Sequence, residues 1–416
     1  LGDEMQDNWK TKAIIFLSSQ ILSLFGSSVV SYAVVWYITL KTGSASLMTV
    51  SILASFLPQI VISLFAGVWA DRYNRKLLII SSDLLTGVST LVLAIYFLMG
   101  HESITLIFII SAIRSVGSGI QTPAVGAILP QIVPMEKMTR INGINSALTS
   151  VMMLLSPAVA GIFFATLGFG YTLLLDVITA ALAVGILSFL KVRAYQREVK
   201  EGDESLKEGT FSELKAGLSY TKNHKLISRI LIFYAVFFFM VSPAAFLTPI
   251  MIARSFGTEV WRLTANEMFW TGGAIFGGVI VAWLGEFKDK IRILAISTIS
   301  FGITFILLGL STNFIFYLGV MFASGIFLPF FSTAETVLIL ENVEEHMLGR
   351  VYSIVQIIIS AVMPLGMLLF GPLGDVISIE SILIGSGLCI LLLTPFIWRT
   401  KVEAVAQVTS DSTVHK

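Results

Sequence analysis

Five ionisable residues stand inside long apolar stretches of this chain: Asp83, Arg114, Asp176, Glu267 and Glu335. A charge in an apolar helix costs several kcal/mol unless it is paired or hydrated, roughly 2.5–3.5 on insertion scales. Such residues therefore face a protein interior or a water-filled cavity. Arg114 sits near the middle of its stretch, in Arg114-Ser115-Val116-Gly117-Ser118-Gly119, whose small residues permit close helix contact. Asp176 and Glu267 each lie about a turn and a half into their stretches. Burial would let either carry a proton; otherwise each is bonded to neighbouring helices or bathed by an outer vestibule. The expected proton-coupling set is Glu267, Asp176 and Arg114. Asp83 follows the cations Arg72, Arg75 and Lys76 and is read as a candidate to neutralise them. Glu335, after Pro329 and a Ser-Thr-Ala run, is expected to line a cavity.

Other chemistry is excluded. No G-x-x-x-x-G-K-[ST] run is present, so ATP hydrolysis is not expected. No catalytic cluster stands out, and the chain is not read as an enzyme. The four histidines fall in loops or at segment ends and form no metal-ligand group. The single cysteine, Cys389, cannot make an intrachain disulfide. No metal or bound cofactor is expected, and an ion gradient, here protons, is the energy source left.

These residues must be positioned by membrane helices. The chain of 416 residues is 56% hydrophobic and only 13% charged, against about a quarter charged in a soluble domain. A bilayer core takes roughly 20 apolar residues per helix. That ruler gives twelve segments, about 13–39, 45–69, 77–99, 104–128, 140–167 and 170–192, then 226–252, 264–285, 291–310, 314–338, 349–371 and 378–398. The run from Ala13 is too long for a signal-peptide core and is read as a retained first helix. Backbone groups in lipid must bond internally, so the fold class is all-α. The expected parts are a six-helix bundle over 1–192, a cytoplasmic central loop over 193–225, a second bundle over 226–400 and a polar tail over 401–416. An amphipathic helix is expected over 211–220. With the N-terminus placed inside, only Lys41, Arg254 and Arg262 of the 27 Lys and Arg fall outside, and Arg114 lies within a helix. Both termini are thus expected in the cytoplasm.

Shifted by 210 residues, Val133-Pro134-Met135-Glu136 with Arg140 and Gly161 meets Val343-Glu344-Glu345-His346 with Arg350 and Gly371. With the six-plus-six division this favours an internal duplication. Ser156-Pro157-Ala158-Val159-Ala160-Gly161 places a helix bend and small residues within the membrane. Trp36, Tyr37, Phe233, Phe237 and Met240 occur where a pocket for an apolar substrate could form.

The run Gly67-x-x-Ala70-Asp71-Arg72-x-x-Arg75-Lys76 resembles the loop motif of the major facilitator superfamily, with Trp69 and Asn74 as departures. Ser156 to Gly161 is similar to its fifth-helix antiporter motif. Lys41-Thr42-Gly43-Ser44-Ala45, Arg114-Ser115-Val116-Gly117 and Gln121-Thr122-Pro123-Ala124 resemble the macrolide-efflux and enterobactin-exporter branch. The resemblance implies two six-helix bundles alternating about a central cavity. It implies a latch of Gly67, Asp71, Arg72, Arg75 and Lys76 with Arg350, in which Asp71 meets the start of the eleventh helix. The function expected is proton-coupled efflux of apolar or amphipathic small molecules across the inner membrane by a monomer, with no nucleic-acid partner. A siderophore or lipid exporter, or a transport-dead membrane sensor, is the alternative.

Overall fold

The computed structural model describes residues 9–192, 219–222, 224–287 and 289–414, with backbone alone over 399–414. All regular structure among them is helical, and twelve helices are long and apolar enough to span a membrane. The first six are α1 (Trp9–Thr42), α2 (Ala45–Arg72), α3 (Arg75–Leu98), α4 (Ile104–Ile132), α5 (Met138–Leu167) and α6 (Phe169–Ser188). The next six are α7 (Lys225–Phe246), α8 (Val260–Leu284), α9 (Lys290–Leu310), α10 (Phe314–Asn342), α11 (Leu348–Val376) and α12 (Ile379–Val414).

Starts are set by capping. Ser44, Asn74, Ser103, Asp289 and Asn313 each accept backbone N–H bonds from the first turn that follows. Asn74 is one departure from the loop motif, and this cap is its local use. The seventh apolar segment, expected to be continuous to 252, breaks instead after Phe246, and a short helix Thr248–Ser255 follows. Pro249 lacks an N–H and suits the opening turn of that second helix. Pro157, by contrast, does not interrupt α5. The expected polar tail after residue 400 continues α12 as far as Val414; that stretch holds no Gly or Pro to stop it. The expected amphipathic helix over 211–220 lies outside the described residues, apart from a helical turn that begins at 219.

The chain divides into two compact units, Leu1–Val199 with Thr258–Thr264, and Lys200–Gly257 with Ala265–Lys416. In the first, α1 packs on α5 and α6, α2 on α4, and α3 on α4 and α6. In the second, α7 packs on α11 and α12, and α9 on α10 and α12. The correspondence is positional as well. Helices α4, α5 and α6 begin at Ile104, Met138 and Phe169, while α10, α11 and α12 begin at Phe314, Leu348 and Ile379, each 210 residues later. The 3-10 turns Met135–Lys137 and Glu345–Met347 keep the same offset. The last three spanning helices of the two halves thus share one register, as a duplicated scaffold would give.

Candidate functional site

The first unit holds a buried ionic layer. Arg114 on α4 donates through Nη1 to Asp176 Oδ2 on α6 and to Thr90 Oγ1 on α3. Thr90 Oγ1 also donates to Asp176 Oδ2 at 2.9 Å, and Ser27 on α1 donates to Oδ1 at 3.3 Å. Asp176 is 1% exposed. Four helices thus converge on one ion pair. Gly26 makes the approach possible: a Cβ there would stand 1.9 Å from Thr179 Oγ1 and 3.0 Å from Asp176. The sequence reading offered Asp176 as a proton carrier or as a bonded carboxylate. The structure gives it the bonded geometry, with Arg114 as counter-ion.

Asp83 occupies a separate layer, two turns from Thr90 along α3. It is fully buried, and its Oδ1 accepts from Ser23 Oγ at 2.6 Å and Gln121 Nε2 at 2.9 Å. The expectation that it neutralises Arg72, Arg75 and Lys76 is not met: its partners are Ser23 and Gln121, while Arg75 and Lys76 turn elsewhere. Arg75 donates to the carbonyls of Ala70 and Ala127 at 2.9 and 2.7 Å. Lys76 Nζ donates to the carbonyls of Ser188 and Leu190 at 2.7 and 2.9 Å, where the end of α6 leaves acceptors unpaired. Asp71 is 56% exposed and lies 3.7 Å from Arg75. Gly67 has open space where a Cβ would stand. Arg350, on α11, has a 3.5 Å contact with Met347 Sδ.

The second unit is built differently at the matching sequence positions. The 210-residue offset carries Arg114 onto Ser324 and Asp176 onto Ser386, so an ion pair becomes two buried serines. A cavity of about 250 Å³ opens there, and Ser324 lines it. Phe237, Trp270, Phe301, Met321 and Phe331 give it apolar walls, and Glu267 and Glu335 supply acid. The rings of Phe237 and Phe331 stack 4.4 Å apart. Glu267 is oriented by a relay: Tyr317 Oη donates to Asn266 Oδ1 at 3.1 Å, and Asn266 Nδ2 donates to Glu267 Oε1 at 3.1 Å. Among the described residues neither glutamate has a cationic partner within ion-pair distance.

Of the residues expected to contact substrate, Phe237 and Glu335 line this cavity. Phe233 is fully buried behind it, 5.7 Å from the ring of Phe237. Met240 does not line it. Trp36 is buried in the first unit, and Tyr37 stacks on Phe169 at 4.4 Å, so both are packing residues in this arrangement. Ser156 is buried with an Oγ that has no hydrogen-bond partner among the described residues; Pro157 and Gly161 are buried beside it in α5. The uncharged partners Ser23, Ser27, Thr90, Asn266 and Tyr317 escaped the sequence reading, and Gln121 entered it only as part of a motif. Gln121 and Asn266 carried a usable signal, since an amide in an apolar run must find partners.

Twelve membrane helices, with buried charge in one unit and an acidic cavity in the other, define a transporter of the major facilitator fold. The sequence model of the transmembrane secretion effector family matches residues 9–415, and the chain belongs to that family. It is 28% identical to macrolide efflux protein A of Streptococcus pyogenes over 401 residues, covering 95% of this chain and 98% of that protein. It is 24% identical to the multidrug efflux pump Tap of Mycobacterium tuberculosis over 385 residues, 89% of each chain. Among solved structures, a bacterial homologue of the iron transporter ferroportin superposes with a TM-score of 0.69 at 16% identity, covering 94% of this chain and 98% of that one. That likeness concerns the fold alone.

Proposed function

We propose that this protein is a proton-coupled exporter of amphipathic small molecules, acting as a monomer in the cytoplasmic membrane with both termini inside. Its similarity to a macrolide efflux protein and a multidrug efflux pump supports the direction. The cavity carries the substrate reading: aromatic walls around Glu267 and Glu335, with no cation within ion-pair distance among the described residues. Soft aromatic and methionine surfaces accept varied apolar shapes. Two carboxylates favour a basic nitrogen as the polar part.

The same geometry supplies a coupling rule. A carboxylate beside Asn266 can hold either a proton or a substrate cation, because both neutralise the same buried charge. A substrate that leaves frees Glu267 for a proton, and a proton that leaves readies it for substrate. Glu267 is the carrier in this scheme, and the Arg114–Asp176 pair braces the first unit. No bound cofactor is needed.

Everted membrane vesicles with an imposed proton gradient test the reading. A lipophilic amine dye should accumulate inside them, collapse of the gradient should release it, and Glu267→Gln should abolish uptake. Uptake that persists in Glu267→Gln, or that ignores the gradient, would refute the scheme.

A further inference from the structure

We propose that Asp83 is a proton-binding site of the first unit, separate from the Arg114–Asp176 pair, and that it holds its proton in this conformation. Neither the direction of transport nor the substrate bears on this site. Asp83 is 0% exposed. Both of its donors, Ser23 on α1 and Gln121 on α4, point at Oδ1. Oδ2 is buried and has no hydrogen-bond partner among the described residues. An ionised carboxylate spreads its charge over both oxygens and needs donors or a cation at each. A carboxylic acid divides the roles, with a carbonyl oxygen that accepts and a hydroxyl that can remain alone at smaller cost. The arrangement at Asp83 is the second kind: Oδ1 is the carbonyl and Oδ2 the hydroxyl.

The surrounding charges agree. On α4 the one cation is Arg114, which is committed to Asp176 of α6. On α3 itself, Arg75 and Lys76 are spent on backbone carbonyls. On α1, Lys41 is paired with Glu102 at 2.6 Å, while Lys10 and Lys12 lie about three turns from Ser23. Lys191, just beyond α6, is exposed. The other charge facing this region is Asp176, an anion, which opposes a second negative charge nearby. An ionised Asp83 would therefore leave a charged, buried Oδ2 with no donor among the described residues.

Infrared spectroscopy of the full-length chain in lipid nanodiscs tests this, with isotope-labelled aspartate to separate aspartic from glutamic bands. No substrate or gradient is present, so a failed export scheme leaves the measurement intact, and a failed measurement leaves the Glu267 scheme intact. Wild type at neutral pH should show one protonated aspartic-acid carbonyl band, and Asp83→Asn should lose it. Ser23→Ala should keep the band but shift it to higher frequency, because the carbonyl Oδ1 loses a donor. If Asp83→Asn fails to fold, the Ser23→Ala shift decides. A band absent from wild type, retained in Asp83→Asn or unmoved in Ser23→Ala would overturn the proposal.

Discussion

The Arg114–Asp176 pair invites a double-mutant cycle whose outcome the repeat itself constrains. Asp176→Asn leaves Arg114, with 12% of its side chain exposed, without an anion. Breaking one half of a buried pair costs about 3–5 kcal/mol. At about 2–4 °C per kcal/mol for a unit of this size, the melting temperature should fall by roughly 6–20 °C. Arg114→Met should cost less, because Asp176 keeps Thr90 and Ser27 as donors. The double variant removes both charges and keeps most of the volume, so it should recover to within about 1 kcal/mol of wild type. The expected coupling is therefore at least about 2–4 kcal/mol, and larger by whatever Arg114→Met costs alone. The second unit already stands without the pair, with Ser324 and Ser386 in its place. Thermal unfolding of purified protein in one detergent, scanned at one rate, is the assay. An Asp176→Asn melt within about 2 °C of wild type, or additive single effects, would refute the reasoning: Arg114 would then be hydrated rather than held by its partner.

Other perturbations separate packing from chemistry. Gly273→Val should prevent a stable fold, because a Cβ there would stand 2.1 Å from the Phe322 carbonyl of α10, whereas Gly319→Ala meets nothing within 4 Å and should be neutral; size-exclusion profiles compare them. Tyr317→Phe removes the donor that fixes Asn266 and should cost about 1 kcal/mol. It should weaken dye transport by raising its half-saturation concentration, while maximal rates stay near wild type. Lys76→Ala should destabilise by roughly 0.3–1 kcal/mol through loss of the cation at the end of α6, and added salt should shrink the difference.

Hydropathy alone carried the helix inventory, since a bilayer demands long apolar runs, and all twelve expected segments coincide with spanning helices. Helix ends were harder to read. Trp9–Lys12 and Val260–Leu263 continue their helices beyond the apolar core, where length is no longer set by the bilayer. The break at Leu247 needed the local weight of Pro249 within an otherwise continuous apolar run. For the site, charge in an apolar setting marked Arg114, Asp176, Glu267 and Glu335, because such residues are rare and costly there. What each one touches was not readable. Arg114 and Asp176 are separated by 62 residues, and their pairing depends on α4 and α6 both meeting α3. Asp83 was assigned to its sequence neighbours Arg72 to Lys76, but in a helix the i+3 and i+4 directions decide contact. Its actual partners, Ser23 and Gln121, come from other helices.

The repeat explains why the two units divide the work. Duplicated scaffolds begin with equivalent interiors, and a polar feature kept in one copy can be lost from the other wherever packing tolerates it. Here the position of Arg114 became, or stayed, serine in the second copy. A serine cannot fill the space of an arginine, and the space that remains is part of an aromatic cavity open to Glu267 and Glu335. In the first copy the same depth is filled and cross-linked by the ion pair to α1, α3 and α6. One unit is thereby stiffened at its centre, while the other keeps a recess and carboxylates with no cationic partner among the described residues. An exchange of roles is then a physical test of the division. Placing Arg at Ser324 should fill the recess and give Glu267 and Glu335 a permanent cation. Ser324→Arg should fold, because both carboxylates can receive the charge, yet it should lose dye transport under any proton gradient. Transport retained in that variant would show that the recess is not on the substrate's path.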